Sequence, residues 1–403
     1  MHIAFWSPAW PLEQFQNGII TYVHWMKLEL ERRGHTVTIF TSGETQSSDQ
    51  SSVIRARRSR WSDRIHRLVI DRLSLGYRTF NFSRVIAADV LRVHRRNPID
   101  IIEMEESFGW FADLSSRTAI PLVVRLHGPA FLSLVESERD TRFGRKKIRK
   151  EGRALQIAHA VVSPSVLTLE QTTAKYNLRP AHSRCIVNPI TMDAQTPVWK
   201  LQGCEPETLL FVGRFDLRKG ADIVLAAFQR LLADRPNLAL IFVGPDRGIA
   251  SADGTYVHFV EYLSSMFQES LRDRVEFLGP LDGAEIAKLR ARAMVTIIAS
   301  RWENQSYALL EAMYQGCPVV CTDAGGCPES IIDGVNGKIA KSESAEHFAQ
   351  QLRAILDDPV AAEAMGHAAR RHVLELHSMQ RVAEDALKMY EQVIGTVRAG
   401  IGT

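Results

Sequence analysis

The sequence predicts an α/β protein built from two doubly wound parallel sheets in tandem. Short β-rich apolar runs alternate with helical patterns along the chain, as strand–helix–strand units require. This alternation stops near the middle of the chain and then begins afresh. The length agrees, because 403 residues exceed what one hydrophobic core usually organises.

The first half opens with a strand–helix–strand unit. A strand over 3–6 precedes a helical pattern over 20–33, and a second strand follows over 36–40. This is the start of a parallel sheet. Four further strands are predicted in this half: Ile99–Ile102, Leu122–Leu126, Ala160–Val162 and Arg184–Val187.

The second half repeats the pattern with its own strands and helices. The predicted strands are Leu209–Val212, Ala239–Val243, Val275–Phe277, Val295–Ile298 and Pro318–Cys321. The predicted helices between them are Asp222–Leu232, Ala284–Arg292 and Tyr307–Tyr314. The stretch from Ala361 to Val397 is strongly helical.

Domain limits follow from an irregular, proline-containing stretch in the middle of the chain. We expect an N-terminal domain over 1–190, a linker over 191–207 and a C-terminal domain over 208–380. A final helix over 381–403 is expected to cross back to the N-terminal domain. Doubly wound sheets bind ligands at the carboxyl ends of their strands, so a cleft between the two domains is the favoured site.

The composition is that of a globular protein, with 45% hydrophobic and 24% charged residues. No apolar run approaches the roughly 18 residues of a membrane span, and the N-terminus lacks the features of a signal peptide. A cytoplasmic location is therefore expected, with the five scattered cysteines as reduced thiols. The net charge is +3, yet the first 199 residues hold about 28 Lys or Arg against 19 Asp or Glu.

One chemistry-bearing segment is the glycine-bounded loop Gly213–Gly220, which follows a predicted strand. Glycines at both ends let the backbone turn tightly. Arg214 can chelate phosphate oxygens with its planar fork, while Lys219 supplies a compact point charge. Fixed cations at such a place stabilise negative charge that grows on a leaving diphosphate.

A second segment places two carboxylates around the start of a helix. Glu303 lies in the loop that follows a predicted strand, and Glu311 lies about one turn inside the next helix. The backbone N–H groups near Ser306, Tyr307 and Ala308 are free donors at the helix start, where the dipole favours an anion. This layout suits a phosphate flanked by hydroxyl-rich groups, a sugar at one end and a ribose at the other.

Together the two segments resemble the family 4 retaining glycosyltransferases of the GT-B fold, and the resemblance covers most of the chain. Gly213–Gly220 matches the G-R-x-x-x-x-K-G loop of that family, and Glu303 to Glu311 matches its E-x7-E motif. The resemblance implies two Rossmann-like domains that face a central cleft. It also implies that Arg214 and Lys219 hold the donor diphosphate, that Glu303 contacts the donor sugar, and that Glu311 binds the ribose hydroxyls.

Further segments add to the resemblance. His127, at the end of a predicted strand, resembles the histidine that touches the transferred sugar. Residues 160–163 and 187–190 match positions near the cleft and the domain boundary, and 323–329 resembles a glycine-rich turn of the C-terminal domain. Within that turn the Gly-Gly pair is interpreted either as a turn or as a donor contact.

Two segments depart from the family pattern. The first loop commonly carries a Gly-Gly pair, which here is Asn17-Gly18, although Gly18 still lets the backbone approach a phosphate. A Gly-Phe-Gly pattern is replaced by Asn304-Gln305-Ser306. These larger side chains are expected to alter selectivity for the donor sugar.

The implied activity is transfer of a sugar from a nucleotide-diphosphate donor to a hydroxyl acceptor with retention, in the synthesis of polysaccharides, lipid-linked glycans or glycoconjugates. The expected donor is a UDP- or GDP-sugar, with no cofactor. The sequence contains no Asp-x-Asp triplet of the kind that holds a metal against the diphosphate, and Arg214 and Lys219 can replace the metal charge. No metal is therefore expected. Walker-type and dinucleotide-binding glycine motifs are also missing.

Two basic stretches in the first half, 55–60 and 145–150, have two interpretations. They are either solvated faces or surfaces attracted to anionic lipid headgroups or a charged acceptor. The second interpretation predicts peripheral contact with the cytoplasmic face of a membrane. Nucleic acid is not expected as a partner, because the isoelectric point is only about 8.6 and no reading motif is present.

Other functions remain open at this stage. A nucleotide-sugar epimerase or a phosphorylase-like enzyme would keep the fold and change the reaction, and a protein that only binds nucleotide sugars would keep the site without turnover. Glu103, Glu105 and Glu106 follow the strand predicted over 99–102 and suggest the paired carboxylates of a glycosidase. We interpret them instead as a solvated turn or an acceptor contact.

Overall fold

The computed structural model describes residues 1–401 except positions 14, 16, 43–51, 56–81, 116 and 252–253. The chain divides into two compact units. The N-terminal unit comprises Met1–Pro189 together with Met379–Thr403, and the C-terminal unit comprises Ile190–Ser378. The last helix of the chain thus belongs with the N-terminal residues.

The N-terminal unit contains a seven-stranded sheet in which every strand pair is parallel. Its strands are β1 (His2–Ser7), β2 (Thr36–Thr41), β3 (Val53–Arg55), β4 (Ile101–Glu105), β5 (Leu122–Arg125), β6 (Ala160–Ser163) and β7 (His182–Cys185). They lie in the order β3-β2-β1-β4-β5-β6-β7. The order reverses between β1 and β4, which is the topological switch point of this sheet.

Helices cover both faces of this sheet. They are α1 (Gly18–Arg32), α2 (Phe82–Arg96), α3 (Ala112–Ser115), α4 (Ala130–Ser133), α5 (Glu136–Arg139), α6 (Arg142–Leu155), α7 (Val166–Tyr176) and, from the end of the chain, α15 (Met379–Ile401). Alternate residues of one strand enter different cores because side chains alternate across a strand. Phe5 packs with α1 and α15, whereas Trp6 packs with α2 and α6 on the other face.

The C-terminal unit contains a second parallel sheet of six strands. Its strands are β8 (Glu205–Val212), β9 (Ala239–Val243), β12 (Val275–Gly279), β13 (Ala293–Ile298), β14 (Val319–Thr322) and β15 (Lys338–Ala340), in the order β12-β9-β8-β13-β14-β15. The short antiparallel pair β10 (Ile249–Ala250) and β11 (Tyr256–Val257) lies apart from it. Here the order reverses between β8 and β13, so these neighbours form the switch point.

The second sheet is also covered on both faces. Its helices are α8 (Ala221–Leu232), α9 (Phe259–Met266), α10 (Glu269–Arg272), α11 (Gly283–Arg292), α12 (Tyr307–Gln315), α13 (Ala345–Asp357) and α14 (Pro359–Leu376). Phe211 and Phe242 pack with α8 and α13, while Leu210 and Ile241 pack toward α11. The expected architecture of two doubly wound parallel sheets is confirmed.

Several predicted details differ from the structure. Strands β3 and β15 were not predicted, and the helical stretch near the end of the chain is interrupted between α14 and α15. Glu103 and Glu105 lie within β4 and are buried, as is Glu106 directly after it. The solvated turn is therefore wrong at these positions, whereas the acceptor contact stays a prediction. The sequence does not show the distant N–H and O–H groups that bind Glu103 and Glu106 in the folded chain. No helix in the described part of the chain is both long and apolar enough to cross a membrane.

Candidate active site

The loop after β8, Gly213–Gly220, lies at the switch point of the second sheet. Its first residue lies beside the end of β9, since Gly213 donates to the Val243 carbonyl at 2.9 Å. Gly220 has a φ of 71°, and a Cβ at this position would overlap the carbonyl oxygen of Ala299, which directly follows β13. Only glycine therefore allows the loop to approach β13 so closely.

Asp216 positions two of the three cationic residues of this loop. Its Oδ2 accepts a hydrogen bond from Arg214 Nε at 2.7 Å, and its Oδ1 accepts one from the backbone N–H of Lys219 at 2.8 Å. The Arg214 side chain remains 38% exposed. One carboxylate thus sets the positions of both residues that were predicted to hold a diphosphate.

Lys219 reaches the loop of the neighbouring strand. Its Nζ donates to Glu303 Oε1 and forms an ion pair with it. Burial by itself raises the pKa of Glu303, but the charges of Lys219 and Arg218 and hydrogen bonds from Lys219 and Ser300 outweigh burial and lower this pKa below 4.5. Glu303 is therefore a carboxylate at neutral pH, and Lys219 is a cation held in a fixed place.

The backbone of Glu303 rests on the glycine turn that follows β14. Gly326 donates its N–H to the Glu303 carbonyl at 2.8 Å. Gly325 has a φ of 62°, and a Cβ there would overlap that same carbonyl oxygen. The structure shows this Gly-Gly pair as a turn that supports Glu303, and the donor contact stays a prediction.

Arg301 ties the loops after β8 and β13 together. Its guanidinium binds Asp222 through two hydrogen bonds of 2.8 Å, and its backbone N–H donates to the Arg218 carbonyl at 2.9 Å. The hydrogen bonds that Arg301 donates to Asp222 are the largest cause that raises the pKa of Arg301, and Glu343 adds to it. These bonds of Arg301 to Asp222 and to the Arg218 carbonyl hold the loop of Lys219 and the loop of Glu303 in place relative to each other.

Helix α12 begins beside Glu303. Ser306 is its N-cap, with Oγ accepting from the Leu309 N–H at 3.4 Å. The N–H groups of Tyr307 and Ala308 belong to the first turn of this helix. Together with the helix dipole they favour an anion at this end.

Glu311 lies one turn into α12 and has a different partner. Its Oε2 accepts a hydrogen bond from Arg290 Nη2 at 3.0 Å, and its side chain is 34% exposed. The structure therefore brings Arg214, Lys219 and Glu303 into one connected network. It places Glu311 on the adjoining helix with its own support.

His127 and Gly18 belong to the N-terminal unit. Glu106 accepts from the backbone N–H of His127 at 2.8 Å and from that of Gly128 at 2.6 Å, which fixes the loop after β5. Burial, and then the charge of Arg125, hold the pKa of His127 well below 6.5, so the imidazole is neutral at pH 7. Gly18 is exposed and is the first residue of α1.

Two family profiles match consecutive parts of the chain. "Glycosyltransferase Family 4" matches residues 16–194, and "Glycosyl transferases group 1" matches residues 200–372. The chain belongs to the family 4 glycosyltransferases. The predicted resemblance is confirmed.

Curated relatives of this glycosyltransferase differ in how much they share with it. Spore coat protein SA of Bacillus subtilis is 29% identical over 46% of the chain, and glycogen synthase of Mycobacterium tuberculosis is 29% identical over the same share. These alignments span 48% and 42% of the relatives' own lengths. D-inositol 3-phosphate glycosyltransferase of Mycolicibacterium paratuberculosis is 26% identical over 96% of the chain and 88% of the relative.

Solved structures show the same fold. A sucrose-phosphate synthase from Thermosynechococcus elongatus has a TM-score of 0.76 at 22% identity and covers 98% of this chain and 99% of its own. Anabaena HepE in complex with UDP-glucose has a TM-score of 0.68 at 17% identity, with 97% and 100% covered. The GT-B fold expected for this glycosyltransferase is confirmed.

Sequence reasoning missed four supporting residues of the glycosyltransferase: Asp216, Arg290, Arg301 and Glu106. Asp216 and Arg301 stand inside or next to the matched motifs, so proximity in sequence could have indicated them. Arg290 has no such signal, because nothing local shows that it is buried. Among the described residues, no group of three or more His, Cys, Asp or Glu side chains is placed to hold a metal ion.

Proposed function

We propose that this glycosyltransferase moves a sugar from a UDP- or GDP-sugar to a hydroxyl acceptor with retention of configuration and without a metal ion. The observation that carries the proposal is the ion pair between Lys219 and Glu303, which joins the loops after β8 and β13 at the switch point of the sheet. It sets a fixed cation beside a carboxylate, where a diphosphate and a sugar would meet.

The cations act on the leaving group. As the bond between the sugar and the diphosphate breaks, negative charge grows on the diphosphate, and Arg214 and Lys219 stabilise it without reorganising. Helix α12 adds the N–H groups of Tyr307 and Ala308 to the same anion site. These groups supply the charge that a metal supplies in other transferases.

The carboxylates act on the hydroxyl groups of the donor. Glu303 would accept hydrogen bonds from the sugar, and Glu311 from the ribose. Gly18 would let the backbone approach the donor phosphate, as the resemblance implies. His127 would contact the transferred sugar as a neutral imidazole. Attack on the same face as the leaving diphosphate needs no protein nucleophile, and the donor phosphate itself would help to deprotonate the acceptor.

The names of the relatives support a nucleotide sugar as donor and point to several classes of acceptor. HepE is described in complexes with UDP and with UDP-glucose, and other relatives are named glycogen synthase and D-inositol 3-phosphate glycosyltransferase. We therefore propose a nucleotide sugar as donor and a glycan, a lipid-linked sugar or a small polyol as acceptor. The proposed setting is polysaccharide, lipid-linked glycan or glycoconjugate synthesis in the cytoplasm.

The donor site is tested by thermal unfolding with UDP-, GDP-, ADP- and dTDP-sugars, in the presence of EDTA. A ligand that binds only the native state raises the unfolding temperature by mass action. Wild type should be stabilised selectively by one nucleotide class, and Arg214→Ala should lose this effect. Arg230→Ala is the matched control, because Arg230 is an exposed arginine of the same unit that pairs with Glu346 at 3.5 Å. No stabilisation by any nucleotide sugar at millimolar concentration would contradict the proposal.

A second proposal concerns the membrane and rests on helix α6. Four arginines lie 3, 4 and 4 residues apart and share one exposed face of this helix: Arg142, Arg145, Arg149 and Arg153. Within the described ranges none of the four forms an ion pair with a carboxylate, and Phe143 beside them is 51% exposed. Each such cation contributes about 1 kcal/mol near an anionic leaflet. The other basic stretch lies outside the described residues from position 56 onward.

Vesicle co-sedimentation tests this surface. The protein should bind vesicles that contain phosphatidylglycerol and should not bind pure phosphatidylcholine, with binding weakened by salt. Charge reversal by Arg145→Glu and Arg149→Glu should abolish it. Arg95→Glu and Arg96→Glu, at the exposed end of α2, serve as control. Equal binding by both double variants would contradict the proposal.

A further inference from the structure

Helix α11 carries an arginine whose side chain is completely buried. Arg290 has 0% of its side chain exposed, whereas Arg292, two residues later, is 57% exposed. Arginine is almost never fully buried unless it is paired, because an unpaired guanidinium loses its hydration. The partners of Arg290 therefore show what it does.

Both partners of Arg290 lie on one face of α12. Nη1 donates to Gln315 Oε1 at 2.6 Å, and Nη2 donates to Glu311 Oε2 at 3.0 Å. Glu311 and Gln315 are four residues apart and so are neighbours on the helix surface. The planar guanidinium binds the two side chains through two nitrogens held in a fixed geometry, whereas the three donors of a lysine ammonium rotate on a single nitrogen.

Gln315 is itself held rigidly. Its Nε2 donates to the carbonyls of Pro197 and Ala287, each at 2.9 Å. The hydrogen bond from Nη1 to this amide restrains the plane of the guanidinium. Nη2 is therefore held in place where it meets Glu311.

Glu311 is anchored at one oxygen and remains partly open. The hydrogen bond from Arg290 engages Oε2, while 34% of the side chain is exposed. A carboxylate fixed in this way keeps Oε1 for an incoming hydroxyl. Preorganisation of this kind reduces the ordering cost of binding.

We propose that Arg290 is a positioning residue that orients Glu311 toward the ribose diol and thereby makes the site prefer ribonucleotide over 2′-deoxyribonucleotide donors. This inference rests on the proposed function, in which Glu311 binds the ribose. Arg290 itself touches no substrate. A site built to hydrogen-bond a hydroxyl disfavours the analogue that lacks it, because its own polar group is left unpaired.

The test measures binding of UDP, GDP and their 2′-deoxy counterparts by titration calorimetry. For the nucleotide that binds best, Arg290→Lys and Arg290→Met should each reduce the preference for ribose about tenfold. Most of this change should come from weaker binding of the ribonucleotide. Glu311→Gln should do the same. The double variant Arg290→Met/Glu311→Gln should be no worse than Glu311→Gln alone, since one residue acts through the other.

Controls separate positioning from general damage. Arg292 lies on the same helix as Arg290, is exposed and pairs with Glu205 of β8. Arg292→Lys should therefore leave the preference for ribonucleotides unchanged. If Arg290→Met does not fold, Arg290→Lys and Gln315→Met carry the test, because Gln315→Met frees the guanidinium to turn. In the kinetic assay, KM for the ribonucleotide donor should rise while kcat changes little.

The outcomes distinguish failure of the positioning role of Arg290 from failure of the proposed ribose-binding role of Glu311. If Glu311→Gln lowers the ribose preference and the Arg290 variants do not, Arg290 has no positioning role. Additive losses in the double variant would also exclude a positioning role. If Glu311→Gln itself leaves the preference unchanged, the proposed role of Glu311 fails and this inference falls with it.

Discussion

Lys219 and Glu303 form an ion pair between two loops that are 84 residues apart in the chain. The contact exists because β8 and β13 are neighbours in a parallel sheet, and their carboxyl ends meet at one edge. The loops are joined again through Arg301. A cation beside a carboxylate at this edge is the basis of the proposed chemistry.

The first prediction concerns the Lys219–Glu303 pair. Lys219→Ala removes a fixed charge from the diphosphate site and should lower kcat about 10²–10³-fold. Lys288→Ala, at an exposed position of α11, is the control and should retain activity. Steady-state kinetics with the identified donor measures both. Wild-type kcat in Lys219→Ala would remove Lys219 from the mechanism.

A second prediction concerns the glycine turn under Glu303. Gly325→Ala forces a positive φ on an L residue and drives its Cβ into the Glu303 carbonyl. The strained backbone alone costs about 1–3 kcal/mol, so the variant should unfold at lower denaturant concentration and lose activity. Gly203→Ala is the control, because nothing lies within 4 Å of its added Cβ. Equal stability of the two variants would show that the turn tolerates a side chain.

A third prediction links Glu106 to His127. Glu106 holds two consecutive backbone N–H groups, and the amide of Glu106→Gln keeps only one acceptor oxygen for them. The loop should shift, and transfer activity should fall about tenfold or more through misplacement of His127. In a His127→Ala background, Glu106→Gln should cause little further loss of transfer activity. Full additivity would mean that Glu106 acts through something other than His127.

The fourth prediction is a pH dependence of stability. Burial, and then the charge of Glu106, raise the pKa of Glu151 to about 8, while Lys147 lowers it in part. Burial and Glu106 likewise raise the pKa of Glu105 to about 7. The native state therefore keeps protons that the unfolded chain loses above about pH 4.3. Stability from these groups is present below that pH and is lost progressively as pH rises to 8.

Replacement of the carboxylate tests this dependence. Between pH 5 and pH 8 the unfolding free energy of Glu151→Gln should fall less than that of wild type, because the amide does not ionise. Glu170→Gln, at an exposed position of α7, should follow wild type. Denaturant titrations at a series of pH values measure this, and parallel curves for all three proteins would refute it.

The fold and the central motifs could be predicted from sequence because both rest on local patterns. Apolar runs of strand length indicated the alternation of strands and helices. The loop that contains Lys219 has its glycines and cations within eight residues. Glu303 and Glu311 were found by their spacing in the E-x7-E motif.

The supports of the site could not be predicted in this way. Arg290 lies in a polar helix, and its burial depends on Gln315 of another helix. Glu106 was interpreted as part of a solvated turn or as an acceptor contact, since the N–H groups that it binds come from the loop after a different strand. Side chains whose partners are distant in sequence carry no local pattern, so only the folded structure reveals them.

The most direct test of the proposed mechanism is the anomeric configuration of the product and its dependence on Lys219. Purified protein would be incubated with the donor that stabilises it and a panel of glycan and polyol acceptors, with EDTA present, and the product examined by proton NMR. The mechanism predicts a glycoside with the anomeric configuration of the donor, formed by wild type and lost in Lys219→Ala. An inverted product, or turnover that needs a metal or survives the loss of Lys219, would contradict it.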